Sequence, residues 1–291
     1  MCSIDCQKQV YPSGDLNTMA ESGGHMPDCV AHYKFGQDVL ERLDTHLKSC
    51  IFAYRQEYNV GLQGPDIFFF YKPYRKTDIA DYGIVCHEQP AIRMFAPILA
   101  KVRENAALSY LMGLICHYTL DACCHPYVYG HSRELSDHLR MEAAYDRHIL
   151  AQYGFAKARC LLVYGYKPDF NAMAELWPGI SAETIRKCVK AARFYSWLLD
   201  HKGLLQLCET VAGKRGVFSP MSLPDVISQE QQEHASRLDT LYFKALDVCP
   251  ERIRRACKAM GTGLQQPEGF EMNYKGGEAY DEQAGEKLDT L

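Results

Sequence analysis

The stretch around residues 116–126 carries the side chains whose types and spacing suggest chemistry. His117, Asp121 and His125 follow an almost continuous apolar run over residues 106–115. At 100° per residue, Asp121 lies about 40° and His125 about 80° from His117 around a helix, so the three side chains share one face. Burying two imidazoles and a carboxylate costs several kcal/mol unless these groups have polar or charged partners. The pattern therefore predicts that something binds them.

A second helix offers the same kinds of group. His138 and Glu142 are four residues apart, which places both on one face. Inward-facing histidines and carboxylates on successive helices are how helical bundles build metal sites. The sequence therefore predicts a metal site between helices.

The candidate ligands form one set of imidazole and carboxylate groups: His32, Asp66, His87, His117, Asp121, His125, His138 and Glu142. Nitrogen and oxygen donors in this mixture suit zinc. They are too many for one ion and enough for two or three. A carboxylate between two ions bridges them at roughly 3.5–4 Å in two-metal hydrolases.

Simpler interpretations remain open for each group. His117 and Asp121 also fit a buried hydrogen-bonded pair without metal, and His138 with Glu142 fits a helix-stabilising pair worth about 0.2–0.5 kcal/mol. Three cysteines near the histidines suggest a structural zinc site, although no C-x-x-C pair supports it: Cys116, Cys123 and Cys124. Four further histidines are interpreted as surface or core residues: His131, His148, His201 and His234.

Composition is that of an ordinary globular protein. The 291 residues are 47 % hydrophobic and 23 % charged. A net charge of −4 gives no electrostatic sign of nucleic-acid or anionic-membrane binding. Thirteen cysteines without a framework spacing, and no signal peptide or transmembrane pattern at the N-terminus, predict free thiols in a cytoplasmic protein.

The patterns predict one all-α, multi-helix domain over residues 26–260. Its ligand-rich half covers 26–154 and its ligand-poor half 155–260; a disordered leader (1–25) and a flexible tail (261–291) flank it. Within the domain, apolar spacing predicts helices at about 90–103, 106–124, 133–152, 181–199, 225–247 and 249–259, and a polar loop leading to residues 86–88. No strand alternation is evident.

Several short motifs in this order resemble the zinc-dependent phospholipase C family, whose fold is shared by P1/S1-type nucleases. The resemblance covers about residues 26–154 and rests on Ala31-His32-Tyr33-Lys34-Phe35-Gly36, Gly64-Pro65-Asp66-Ile67-Phe68, Cys86-His87, His117-Tyr118-Thr119-Leu120-Asp121, His125-Pro126-Tyr127 and His138-x-x-x-Glu142. It implies a helical domain with zinc ions in a cleft between helices. It also implies hydrolysis of a phosphodiester, by default in a phospholipid headgroup, with a nuclease as the alternative.

The resemblance also implies how the ligands divide among the ions. Asp66, His87, His117 and Asp121 would hold the first ion, His125, His138 and Glu142 the second, and His32 with Asp121 a third. Asp66 would be the general base.

Two departures from the secreted members of that family alter these expectations. Those enzymes begin with a Trp that binds the third ion, whereas this chain has no Trp there, and His25, Asp28 or Cys29 would have to replace it. The pair corresponding to Asp121 and His125 is six apart in those enzymes and four apart here. That spacing predicts a shifted second ion, unless the helix ends near Pro126.

A hypothesis from another class is a helical interaction protein that keeps the metal cage for stability alone. The sequence contains no G-x-S-x-G, no H-E-x-x-H and no His-Asp dipeptide, so other common hydrolase motifs have no support. Access of water to the metal would separate an enzyme from a structural cage.

Overall fold

The computed structural model describes residues 29–73, 75–154, 168–211, 213, 218–262 and 267–277. The first half contains helices α1 (Cys29–Arg42), α2 (Thr45–Ala53), α3 (Arg55–Gly61), α4 (Asp78–Glu88), α5 (Ala91–Lys101), α6 (Asn105–Gly130) and α7 (Leu135–Tyr153). The second half contains α8 (Phe170–Leu176), α9 (Ala182–Leu199), α10 (Lys202–Val211) and α11 (Gln229–Thr262). Short 3-10 segments cover Gly64–Phe70 and Ser219–Met221. The described ranges contain no strand, which confirms the all-α prediction.

Helix α6 is the axis of the fold because it is apolar on nearly all sides. Its buried residues run with few gaps from Ala106 to Val128, as expected of a helix surrounded by others. Helix α3 crosses it closely where Gly61 meets Gly113. A side chain at either glycine would collide with the backbone of the other helix, at the Tyr110 or Tyr58 carbonyl. Helix α11 packs on another side of α6, and one continuous core extends from Cys29 to Tyr274.

Several predicted boundaries require correction. Residues 78–88 form α4 rather than a polar loop, with the Thr77 side chain accepting a hydrogen bond from the Ala80 amide as its N-cap. Helices α8 and α10 were not expected. Residues 229–262 form one helix through Pro250 rather than two. Helix α6 continues past Pro126 to Gly130, so the chain does not bend there to restore the family spacing.

The predicted flexible tail differs from the structure over residues 267–277, called here the C-terminal strap. Its side chains Phe270 and Tyr274 are fully buried. The Ala91 amide donates to the Met272 carbonyl at 2.9 Å and the Ile92 amide to the Phe270 carbonyl at 2.7 Å. These amides belong to the first turn of α5, where no intrahelical acceptor exists, so the strap satisfies them. The predicted leader (1–25) and residues 278–291 lie outside the described residues.

The described helices include none with the length and apolar character needed to cross a membrane. The long apolar helix α6 carries its histidines and carboxylate inside the bundle, as predicted for a core helix.

Candidate metal centre

The three candidate residues of α6 lie in a row and face one another. His117 Nε2 is 3.0 Å from Asp121 Oδ2, and His125 Nε2 is 3.9 Å from Asp121 Oδ1. Asp121 therefore points one carboxylate oxygen toward each histidine. This is the spacing that an uninterrupted helix gives to residues four apart.

The first group combines α6 with the segment between α3 and α5. Asp66, from the 3-10 segment, lies 2.7 Å from His87 Nε2 through Oδ1 and 3.7 Å from His117 Nε2 through Oδ2. Gly64 makes this approach possible because a Cβ there would overlap the His117 ring. Its φ of +55° is also one that glycine adopts readily.

The second group joins α6 to α1. His32 Nε2 is 3.1 Å from Asp121 Oδ1, and the His32 ring stacks on that of His117 with centroids 4.1 Å apart. The first turn of α1 is held by Asp146 of α7, whose carboxylate accepts from the Val30 amide at 3.1 Å and the Ala31 amide at 2.8 Å. Asp146 thus fixes the helix end that carries His32.

The third group joins α6 to α7. Glu142 Oε1 lies 2.8 Å from His138 Nε2 and 3.4 Å from His125 Nε2. The ligand atoms within each of the three groups lie within 4.8 Å of one another. All eight candidate residues are thus brought together, and seven of them are buried; Glu142 retains 13 % side-chain exposure.

In three of these histidines, a hydrogen bond to a backbone carbonyl places one ring proton on Nδ1. The Nδ1–H groups of His87, His117 and His125 donate to the carbonyls of Gly83, Leu62 and Tyr274 at 2.8, 3.2 and 2.8 Å. In the neutral ring, Nε2 is then a lone-pair acceptor. Each Nε2 nevertheless faces carboxylate oxygens, which are also acceptors, so each contact needs either a second ring proton or a metal ion between the two atoms.

Buried polar atoms give the same result. Among the described residues, Asp66 Oδ1, His117 Nε2 and Glu142 Oε2 make no hydrogen bond despite their burial. Such atoms are costly unless a ligand satisfies them. A histidine that donates its other ring N–H to a carbonyl is the usual outer arrangement of a metal ligand. The donor set therefore fits zinc.

Electrostatics shows what the cluster does without metal. Burial opposes the charged form of His125, but Asp121 and Glu142 outweigh it and raise its pKa to about 9. Burial likewise opposes the charge of His32, yet Asp121 raises its pKa. Burial disfavours ionised Asp121 and Glu142, but the facing histidines hold the pKa of Asp121 well below its usual range and lower that of Glu142 to about 2. The carboxylates thus demand positive charge, from protons or from metal.

A cavity of about 30 Å³ adjoins this cluster. His32, Asp121, His125 and Glu142 line its polar side, and apolar residues of α6, α7 and α11 line the rest. The volume is enough for water. Asp66 is not among the lining residues, since it faces His87 and His117 on the other side of the cluster.

Other predicted alternatives fall outside the cluster. Among the described residues, no cysteine joins a potential metal group; Cys116 instead contacts Cys249, with the sulfurs 3.8 Å apart. Cys29, proposed as a replacement for the family Trp, lies at the start of α1 and joins no such group in the described ranges. His25 and Asp28 lie outside the described residues.

Sequence reasoning missed two residues that support the site. Asp146 follows Glu142 by four positions and His138 by eight, so its place on the same face of α7 could have marked it. Tyr274 had no comparable signal, because it lies in a Gly- and Glu-rich segment without periodicity.

Comparison with known proteins supplies the family. The family model described as zinc dependent phospholipase C matches residues 31–201, more than half of the chain. The chain belongs to this family. All eight candidate ligands of this zinc-dependent phospholipase C family member lie within the matched region, whereas the C-terminal strap lies beyond it. Neither a search of curated proteins nor a search of solved structures gave a match.

Proposed function

We propose that the protein is a zinc-dependent phosphoric ester hydrolase that cleaves a phosphodiester bond in a phospholipid by phospholipase C-type chemistry. The observation that carries this proposal is the set of buried histidine Nε2 atoms that face carboxylate oxygens while Nδ1 of His87, His117 and His125 donates to a backbone carbonyl. Family membership supports zinc as the cation and phospholipid as the substrate class.

Three groups of residues would hold the zinc ions. Asp66, His87 and His117 would bind the first ion, with Asp121 Oδ2 close to His117 as a further ligand. His125, His138 and Glu142 would bind the second. His32 and Asp121 Oδ1 would contribute to a third, whose remaining ligands we do not assign. When bound, zinc stabilises charge on phosphate oxygens and lowers the pKa of water.

The proton acceptor is proposed among the carboxylates of the cluster. The resemblance assigns this role to Asp66, which is held between His87 and His117. The cavity instead brings Asp121 and Glu142 next to water-sized space. Comparing Asp66→Asn with Glu142→Gln in protein that retains zinc tests which carboxylate accepts the proton: a general base contributes typically about 10²–10⁴-fold to the rate.

The cavity also favours an enzyme over a structural cage. A cage needs only ligands, and water next to them adds nothing to its stability. Here Asp121, Glu142, His32 and His125 border a space that accepts water. Water at the candidate metal site is what hydrolysis requires.

The choice of phospholipid over nucleic acid rests on the family and on charge. A nuclease binds a polyanion and usually carries a basic stripe. The net charge of −4 gives no such sign.

The test combines metal content with substrate choice. Protein purified without added metal should contain two or three zinc ions per chain. It should hydrolyse phosphatidylcholine to diacylglycerol and phosphocholine, or another phospholipid to diacylglycerol and its phosphorylated headgroup. Chelated protein is the matched control and should be inactive until zinc is restored. Absence of zinc would refute the proposal, zinc without hydrolysis would favour the structural cage, and cleavage of single-stranded DNA alone would favour the nuclease.

A further inference from the structure

The C-terminal strap reaches the candidate metal centre through one residue. The Tyr274 carbonyl accepts the Nδ1–H of His125 at 2.8 Å. Because a carbonyl can only accept, this bond keeps the proton on Nδ1 and leaves Nε2 of neutral His125 as the lone pair that faces Glu142.

Tyr274 also contacts two histidines of the first group, His87 and His117. Its amide donates to the His87 carbonyl at 3.3 Å, and its ring lies 4.8 Å from the His87 ring and 5.7 Å from the His117 ring. The residue is fully buried. One strap residue therefore touches three candidate ligands, which between them belong to all three groups.

The rest of the strap fixes Tyr274 in this position. The Asn273 side chain accepts from the Lys275 amide at 2.9 Å and the Gly277 amide at 3.1 Å, and it donates to the Glu88 carbonyl at 3.3 Å. Gly276, with φ +84°, lies against α6 one turn from His125. A Cβ at Gly276 would overlap Pro126 and come within 2.8 Å of the Ala122 carbonyl. The strap thus fits α6 only with glycine at this position.

We propose that Tyr274 is a positioning residue of the zinc centre, acting through His125, and that the strap completes a site whose ligands all lie in the family-matched region. The assignment rests on the proposed zinc site. Outer partners that orient a ligating histidine typically contribute roughly 10–100-fold to metal affinity. The Tyr274 carbonyl is such a partner, supplied by a segment about 150 residues after His125 in the chain.

The experiment displaces the strap and measures the metal rather than the reaction. Gly276→Ala pushes the strap away from α6. Gly179→Ala is the matched control, because Gly179 also has a positive φ (+76°) but would meet no atom within 4 Å. Both variants place alanine at a similar positive φ, and only Gly276→Ala is expected to displace the strap and Tyr274. Zinc affinity is measured by competition with a chromophoric chelator, and the visible absorption of the cobalt-substituted protein reports ligand geometry.

We expect Gly276→Ala to weaken one zinc ion by roughly 10–100-fold and to alter the cobalt spectrum. Gly179→Ala should lose stability without either change. Asn273→Ala is the second variant: it loosens the strap without a collision, should produce the same change to a smaller extent, and decides the matter if Gly276→Ala does not fold.

Two failures are distinguishable. If the unmodified protein binds no zinc, the proposed function fails and the assignment fails with it. If it binds zinc and the strap variants keep unchanged affinity and cobalt spectra, only the positioning role of Tyr274 is overturned.

Discussion

Two regions of the molecule pair histidines with carboxylates. They differ in whether each neutral histidine finds a partner for both ring nitrogens without a cation. Between α7 and α11, His148 Nε2–H donates to Asp239 Oδ2 at 2.9 Å. The Tyr145 hydroxyl donates to Asp239 Oδ1 at 3.1 Å, and the Gln232 amide group donates to His148 Nδ1 at 3.3 Å. A neutral imidazole has one donor and one acceptor, and both are used. This pair needs no metal.

In the cluster on α6, the donors and acceptors of a neutral imidazole do not match its neighbours in the same way. His117 donates its Nδ1–H to the Leu62 carbonyl, so in the neutral ring the Nε2 that faces Asp121 and Asp66 is a hydrogen-bond acceptor. Distance alone does not separate the two cases, because the nearest nitrogen–oxygen contacts are 2.9 and 3.0 Å. What separates them is the role of Nδ1, which accepts from Gln232 in His148 and donates to the Leu62 carbonyl in His117. A histidine anchored to a carbonyl and facing a carboxylate is a candidate metal ligand.

The largest effect should come from removing the Asp121 carboxylate, which is proposed to contribute to two of the three zinc ions. We expect Asp121→Asn to lose about one zinc ion or more per chain. Its activity should fall beyond the roughly 10–100-fold typical of outer-partner changes. Asp239→Asn is the matched control and should retain zinc and activity, while losing about 1–3 kcal/mol of stability through its broken hydrogen bonds. Elemental analysis and phospholipid hydrolysis measure both variants. Zinc loss from Asp239→Asn would contradict the distinction drawn here.

A narrower change separates the groups from each other. His138→Ala removes a residue of the third group only, so we expect about one zinc ion to be lost while the ion at Asp66, His87 and His117 remains. His131→Ala is the control. His131 directly follows α6, six residues after His125, with its Nδ1 bonded to the Tyr127 carbonyl, and it belongs to no potential metal group among the described residues. Zinc per chain is the measurement. Loss of all zinc from His138→Ala would mean that the groups do not bind independently.

Spacing within one helix was predictable from the sequence. Residues four apart on α6 and on α7 must share a face, which correctly brought His117 to Asp121 and His138 to Glu142. The family resemblance assigned Asp66, His87 and His32 to the same set of metal ligands. Those three come from separate elements, so no helical period could have shown that they converge.

The misses have a common cause. Residues 78–88 were read as a loop because the polar stretch before them obscured a short helix with an N-cap at Thr77. The strap was read as a tail because turn residues such as Gly269 and Gly276 have no period, and its burial depends on unsatisfied amides of α5 that lie far away in sequence. Contacts between segments that are far apart in the sequence cannot be predicted from a local sequence pattern.

Removing zinc with a chelator should lower the thermal stability of the parent protein and of the Asp239 variant more than that of the Asp121 variant. A ligand that binds only the folded state stabilises it by about 2.7–4.1 kcal/mol at 100–1,000 times its Kd. For a protein of this size, that corresponds to roughly 5–15 °C in Tm. We expect a chelator to lower the Tm of the parent protein and of Asp239→Asn by this amount, and that of Asp121→Asn by less. Equal shifts in all three by differential scanning calorimetry would disconnect zinc from Asp121.

The smallest effect concerns Asp146, which acts on the helix end that carries His32. Asp146→Ala removes the acceptor of the Val30 and Ala31 amides, and loss of an N-cap typically costs about 0.5–2 kcal/mol. Asp146→Asn keeps a side-chain oxygen and should recover most of that loss in urea unfolding of the metal-free protein. Because His32 belongs only to the second group, the zinc ions of the other two groups should keep their affinity in both variants. A general loss of zinc from Asp146→Asn would place Asp146 in the metal cluster itself.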